Sequence, residues 1–244
     1  MYTKSAKFYD AIYSFKNYAA EAEILRKAVN LNLRTGGRRL LDVACGTGSH
    51  LAILRGDFDV EGLDNSEDQI EVARAKLAGV PLHRGDMIDF DLGRTFDVVT
   101  CLFSSIGYMK TVERMTLTIA NLARHVRSGG LLIVEPWLQP GSFKPGHLDG
   151  RFVDTPDLKI ARMIIHRVKD NLSIFDEQYM VGTREGIEFI SQHHELGLFT
   201  RIQYLNAFAD AGMRATWDEQ GLIGRGLIVG IKVGSEEDGP RRDH

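Results

Sequence analysis

Over residues 1–138, short continuous apolar runs alternate with longer segments that carry apolar residues on one face only, the pattern of strands joined by helices. Residues 19–29, AAEAEILRKAV, predict a first helix that ends by Thr35-Gly36-Gly37. RRLLDVA at 38–44 then predicts a buried strand, and SHLAILRG at 49–56 the helix after it. The unit repeats as a strand over 60–64 and a helix over 67–77, with Ser66 as its N-cap. A short strand over 81–84, the β-branched and aromatic run FDVVTCLF at 96–103, and a helix over 111–126 follow. Ser128-Gly129-Gly130 reads as the turn closing that helix, and LLIVEP at 131–136 as a fifth strand. Strands and helices in this order predict parallel pairing through right-handed crossovers, hence a doubly wound, mostly parallel α/β sheet.

Beyond residue 139 the period shortens to two. ARMIIHRV, SIFDEQYMV and IEFISQHHELGLF alternate apolar and polar positions, with DNL and TREG as turns between them. Residues 139–199 are therefore expected to form a small antiparallel β insertion, a lid over the substrate. TRIQYLNAFADAGM then predicts an amphipathic helix, and ATWDEQ and GLIVGIKV two last strands, so that 1–138 and 200–233 make one domain. The charged tail, 234–244, is expected to be disordered.

Composition narrows the function classes. A net charge of −3 over 244 residues, without a concentrated basic stretch, argues against a nucleic-acid binder and for a small-molecule substrate. No run approaches the roughly 18 apolar residues of a membrane span and no signal peptide opens the chain, so the expected location is the cytoplasm. Cys45 and Cys101 lie in apolar runs and read as buried thiols, and no His/Cys/Asp/Glu spacing suggests a metal.

The candidate chemistry sits at the carboxyl ends of the first three strands, where open α/β sheets bind their ligands. In DVACGTG, Gly46 and Gly48 allow positive φ and a close approach of the main chain to a ligand. The turn lacks the third glycine of a pyrophosphate-binding fingerprint, which disfavours a nicotinamide dehydrogenase. Asp64 closes the second strand, where a carboxylate accepts from two ribose hydroxyls, and an ordinary helix-capping acid would stand there too. Asp86, in HRGDM after the third strand, is placed to accept from an adenine amino group beside Met87, or is a plain turn residue.

These motifs, with the CLF strand end, resemble class I S-adenosylmethionine-dependent methyltransferases. The resemblance implies a Rossmann-like sheet of seven strands, S-adenosylmethionine as cofactor with S-adenosylhomocysteine as its product, and cofactor contacts from Ala44, Gly46, Asp64, Asp86, Met87 and Leu102. KNYAAEAE, LFSSIGY, IVEPWLQPGSF and GRGLIVG resemble, over nearly the whole chain, the N-methyltransferases of TDP-linked deoxyamino sugars. That similarity implies a nucleotide-sugar substrate, a homodimer, and N-terminal tyrosines closing over cofactor and substrate, with Tyr2, Tyr9 and Tyr18 as the candidates. Tyr108 stands where some members carry a histidine, which speaks against an obligatory histidine base there.

On the substrate side, Trp137 at the end of the fifth strand either stacks on a base or sugar or plugs the core beneath the insertion. Glu135 beside it is a candidate for holding an amine, and with Tyr108 makes the candidate catalytic pair. Arg225, between two glycines, suits phosphate oxygens, the competing reading being a solvated hairpin arginine. Tyr179 in the insertion completes the substrate-binding candidates. Of His193 and His194, adjacent in an alternating strand, one faces inward, where a lone histidine reads as a core residue. The expected reaction is direct displacement, an unprotonated amine attacking the sulfonium methyl carbon, with a carboxylate, a tyrosine or water left open as proton acceptor. The alternative is a methyltransferase of another small amine or hydroxyl acceptor.

Overall fold

The computed structural model describes residues 6–142 and 144–234; Tyr2 and the tail beyond residue 234 lie outside them. A 3-10 turn, Ala6–Phe8, leads into the single-turn helix α1 (Tyr9–Ile12), and α2 (Tyr18–Asn32) follows, capped by Asn17 Oδ1 accepting from Ala20 N–H at 3.0 Å. The alternation then runs β1 (Arg39–Val43), α3 (Ser49–Leu54), β2 (Asp59–Asp64), α4 (Glu67–Lys76), β3 (Leu82–Arg84), β4 (Phe96–Cys101), α5 (Val112–Arg124) and β5 (Val126–Val134). Four antiparallel strands come next, β6 (Leu148–Asp154), β7 (Leu158–Lys169), β8 (Leu172–Thr183) and β9 (Gly186–Gly197), before α6 (Arg201–Asp210), β10 (Met213–Asp218) and β11 (Leu227–Lys232) close the fold.

The main sheet has the order β10-β11-β5-β4-β1-β2-β3, with β11 reversed against β5 and β10. This is the doubly wound, mostly parallel arrangement that the alternation predicted, with the seven strands that the family resemblance implied. One face buries α2, α3 and α4 around Leu25, Leu40, Leu51 and Leu131. The other buries α5 and α6 around Leu41, Val99, Ile119 and Phe208. Because β1 and β4 are neighbours while the chain has already wound outward through β2 and β3, the topological switch lies between β1 and β4, and their carboxyl ends open a crevice there.

Ser128-Gly129-Gly130 departs from expectation: it is no helix-closing turn. Helix α5 ends at Arg124 and the chain enters β5 directly at Val126. The glycines serve a break in register between β4 and β5, where Phe96 pairs with Val126 but Val98 with Leu131. A Cβ on Gly130 would stand 2.8 Å from the Asp97 carbonyl. Strand β6, which alternation did not single out, adds an edge to the insertion.

The second sheet is a meander in the order β6-β7-β8-β9. Its period of two is visible in burial: along β7, Ile160, Arg162 and Ile164 are buried while Lys159, Met163 and Ile165 are exposed. The inner face is not uniformly apolar. Arg162, Glu177, Gln192 and His194 are all buried on it.

Candidate active site

A cavity of about 500 Å³ lies between the carboxyl ends of the main sheet and the inner face of the second sheet. That size falls in the range of small-molecule sites, roughly 300–1,000 Å³. Both sheets contribute walls, and α1 contributes Tyr9 and the loop after it Tyr13 and Phe15.

One corner is built by the turn after β1. Ala44 (φ 59°), Gly46 (φ 56°) and Gly48 (φ 75°) all hold left-handed backbone. A Cβ on Gly48 would meet Leu77 Cδ1 at 2.4 Å, so with its positive φ the position favours glycine. The turn is tied to β2 by Cys45 N–H donating to the Leu63 carbonyl at 3.0 Å and Gly46 N–H donating to Asp64 Oδ2 at 2.8 Å. Asp64 Oδ1 accepts in turn from the N–H of Ser66, the N-cap of α4, at 2.9 Å. Asp64 stands on the cavity wall, and a carboxylate has about four acceptor sites, so it retains acceptor capacity toward the cavity. Burial pushes its carboxyl above the ordinary range, against the three backbone amides that lower it. Asp86 and Met87 continue this wall after β3, Asp86 held by Ile88 N–H at 3.2 Å. Ala44, Gly46, Asp64, Asp86, Met87 and Tyr9 thus converge on one corner of the cavity.

Asp10 pins α1 over that corner. Its Oδ1 accepts from the Thr47 hydroxyl at 2.6 Å and the Ser49 hydroxyl at 3.2 Å, and its Oδ2 faces Lys76 Nζ at 2.5 Å.

Two cofactor candidates lie elsewhere. Leu102 is buried in the core on the α2–α4 side of the sheet, because its side chain points beneath the crevice. The Tyr18 ring stands edge-on to His50 at 5.0 Å, outside the cavity wall.

The cavity wall also carries Arg225, Trp137 and Tyr108. The Arg225 guanidinium lies 4.6 Å from the Trp137 ring centroid, and its Nη1 donates to Ser104 Oγ at 3.1 Å. Arg225 is thus half-buried and oriented, unlike a solvated hairpin arginine. Trp137 packs beneath the insertion, where Nε1 donates to Ser173 Oγ at 2.7 Å and the ring leans on Phe175, and it also lines the cavity. The strand end opposite is strained, Phe103 (φ 51°) and Ser104 (φ 60°) both being left-handed.

Glu135 and Tyr179 are displaced from the roles their positions suggested. Glu135 is fully buried behind the wall, Oε2 accepting from Phe103 N–H at 2.7 Å, so it braces the strained strand end. Burial raises its carboxyl pKa, opposed by the charge of Arg225. Tyr179 packs with Phe8, Ile12 and Tyr13 and donates its hydroxyl to Glu177, since its place in the β8 alternation turns it into the contact with α1.

Sequence reasoning missed Arg162 and Glu177 of the insertion, and read the inward one of the histidine pair, which is His194, as a core residue. Arg162, Glu177 and His194 line the cavity, and the Tyr108 hydroxyl lies 2.9 Å from His194 Nδ1. Their signal was present as polar residues at inward positions of an alternating strand.

Residues 40–130 match the family described as a methyltransferase domain. The chain is 38% identical, over 93% of its length and 92% of the relative's, to a dTDP-4-amino-2,3,4,6-tetradeoxy-D-glucose N,N-dimethyltransferase of Saccharopolyspora spinosa. It is 39% identical, over 93% and 97%, to a dTDP-3-amino-3,4,6-trideoxy-alpha-D-glucopyranose N,N-dimethyltransferase of Streptomyces venezuelae. The chain belongs to this family of methyltransferases. Among solved structures it superposes on DesVI of Streptomyces venezuelae with a TM-score of 0.89 at 37% identity, covering 94% of this chain and 99% of that one. It also superposes on the S-adenosylmethionine-bound amino pentose methyltransferase CalS10 of Micromonospora echinaspora, with a TM-score of 0.84 at 38% identity, covering 93% and 97%. As a methyltransferase it uses S-adenosylmethionine, and the carboxylate of Asp64 on the cavity wall and the Cβ-free approach at Gly46 fit that group's ribose and chain.

Proposed function

We propose that this methyltransferase transfers methyl groups to the amino nitrogen of a dTDP-linked deoxyamino sugar, in two successive rounds. The observation that carries the reading is Arg225, whose guanidinium, desolvated and oriented by Ser104 and Trp137, faces the same cavity as the Asp64 corner. A guanidinium so held suits a diphosphate, and relatives covering nearly the whole chain are named for dTDP-amino sugars.

The cofactor supplies a methyl group already activated by its positive sulfur. What remains for the protein is to hold the amine in line with that carbon and to exclude water. In this reading Ala44, Gly46, Asp64, Asp86 and Met87 hold the cofactor, with Tyr9 over it. Arg225 and Trp137 hold the nucleotide end, and Tyr108 faces the amine. Glu135 acts indirectly, keeping Phe103 and Ser104 in their strained turn. Residues 1–138 and 200–233 serve as the methyltransferase domain and 139–199 as a lid.

The outer face of that lid carries an apolar row in which Phe152, Ala161, Met180 and Phe189 stand in register across β6–β9, with Phe152 and Phe189 more than 70% exposed. Such a row supports pairing with a second copy into a homodimer, read by light scattering. The free thiols of Cys45 and Cys101 fit a reducing cytoplasm, and among the described residues no helix is long and apolar enough to cross a membrane.

The test is incubation of the purified chain with S-adenosylmethionine and a panel of dTDP-3-amino and dTDP-4-amino deoxysugars, with free amines and hydroxyl acceptors beside them. Mass gains of one and two methyl groups on the dTDP-amino sugars alone are expected. Methylation confined to acceptors without a nucleotide would overturn the reading.

A further inference from the structure

A hydroxyl facing an amine nucleophile poses a problem. A tyrosine O–H carries one donor and two acceptor sites, and if it donates to the amine it ties up the lone pair that must attack. Tyr108 faces this choice at the cavity wall, and the structure supplies a group that decides it. His194, on β9, holds Nδ1 at 2.9 Å from the Tyr108 oxygen.

His194 is fixed in three ways. Its ring stacks on Phe175 of β8, with centroids 5.0 Å apart and planes at 24°, directly across the register. It is only 2% exposed, and burial lowers its pKa to about 4, so the imidazole is neutral in neutral solution. Nε2 faces Glu177 Oε2 at 3.7 Å, and that carboxylate is itself held by the Tyr179 hydroxyl, with Arg162 Nη1 at 3.9 Å from Oε1. The Glu177 carboxyl oxygen on the Nε2 side is the acceptor that faces this nitrogen, which favours the proton on Nε2 and leaves Nδ1 as an acceptor.

We propose that His194 is a positioning residue for the methyl acceptor: as the neutral Nε2–H tautomer it takes the Tyr108 O–H into Nδ1, so that Tyr108 presents only lone pairs to the cavity. Tyr108 then accepts an N–H of the substrate amine and leaves the nitrogen lone pair free to face the methyl carbon. The inference rests on the amino-sugar reading for the nature of the acceptor. It has a consequence for product: a primary and a secondary amine each offer an N–H to Tyr108, whereas a neutral tertiary amine offers none, so the hold ends with the second methyl.

The tautomer is read directly on the full chain by ¹⁵N NMR of histidine-labelled protein, with His194→Asn identifying the signal. A neutral Nε2–H ring is expected, and an Nδ1–H tautomer or an imidazolium near pH 7 overturns the proposal. In kinetics, His194→Phe, which keeps the stack on Phe175, should lower kcat about tenfold with the KM for S-adenosylmethionine unchanged. His194→Asn, whose Oδ1 stands near the place of Nδ1, should restore most of the rate. In a Tyr108→Phe background, His194→Phe should cost nothing further. An equal loss in both backgrounds shows that the histidine acts without the tyrosine and overturns the proposal. Should His194→Phe fail to fold, the tautomer in the unaltered chain decides. A chain that methylates no amino sugar removes the substrate reading, while the tautomer still tests the Tyr108–His194 arrangement on its own.

Discussion

Arg225 and Ser104 are 121 residues apart in sequence, yet Arg225 Nη1 donates to Ser104 Oγ at 3.1 Å. The contact joins the loop before β11 to the strained end of β4. Arg225→Ala removes a charged donor remote from the reacting atoms. The KM for a dTDP-amino sugar should therefore rise roughly 10- to 100-fold, the ~1.5–3 kcal/mol of a hydrogen bond to a charged group, while kcat falls by less than about threefold. Steady-state kinetics at saturating S-adenosylmethionine checks this, and an unchanged KM would refute the phosphate role.

The loop that carries Arg225 is itself locked by glycine. Gly226 has φ +98°, and a Cβ there would stand 2.6 Å from Trp217 Cζ2; one on Gly221 would stand 2.3 Å from the Gly226 backbone. Gly226→Ala must shift the loop or the Trp217 ring. A loss of about 1–3 kcal/mol is expected, a drop in Tm of roughly 2–10 °C for a chain of this size, together with a higher KM for the nucleotide sugar. Differential scanning calorimetry and kinetics on the same preparation test the coupling, and a stable variant with unaltered KM would dissociate the two.

At the cofactor corner the sharpest test is Asp64. Asp64→Ala strands the Gly46 and Ser66 amides that now donate to its two oxygens and removes the acceptors offered to a ribose. Affinity for S-adenosylhomocysteine should fall at least about tenfold by titration calorimetry, from one or two lost charge-assisted hydrogen bonds. Asp64→Asn, which keeps one acceptor oxygen, should lose less.

How far the chain can be read without its structure is set by how local each signal is. The strands 38–44 and 96–103, the helix 67–77 and the Gly46–Gly48 turn were legible, because period, capping and glycine placement act within a few residues. Asp64 and Asp86 were legible because parallel topology puts strand ends on one rim. Ser128-Gly129-Gly130 misled, since glycines that relieve a register break in a buried strand look the same as glycines that end a helix. Glu135 and Tyr179 were misplaced for a related reason: strand period gives a face but not what lies across it. The Tyr108–His194 contact spans 86 residues, from the 3-10 turn after β4 to the second sheet, and no local pattern encodes it.

Asp42 makes stability depend on pH in an unusual direction. It lies within β1, 2% exposed, with the Thr100 hydroxyl donating to Oδ1 at 2.7 Å, and burial pushes its pKa up to about 6. A carboxyl whose folded pKa exceeds the unfolded value of about 4 binds its proton more tightly in the native state. That stability is fully present below about pH 4 and is lost as pH rises through 6. Asp64, Glu135 and Glu177, also raised by burial, act in the same sense, whereas Asp10 and Glu21, lowered by Lys76 and by His50 despite their burial, act in the opposite sense. The two-unit shift at Asp42 corresponds to about 3 kcal/mol at most. Its signature is the difference between proteins: the Tm of Asp42→Asn relative to the unaltered chain should rise between pH 5 and pH 7, because the substitution removes the ionisation that costs the native state. Parallel Tm curves across that interval would show that Asp42 stays ionised in the folded protein.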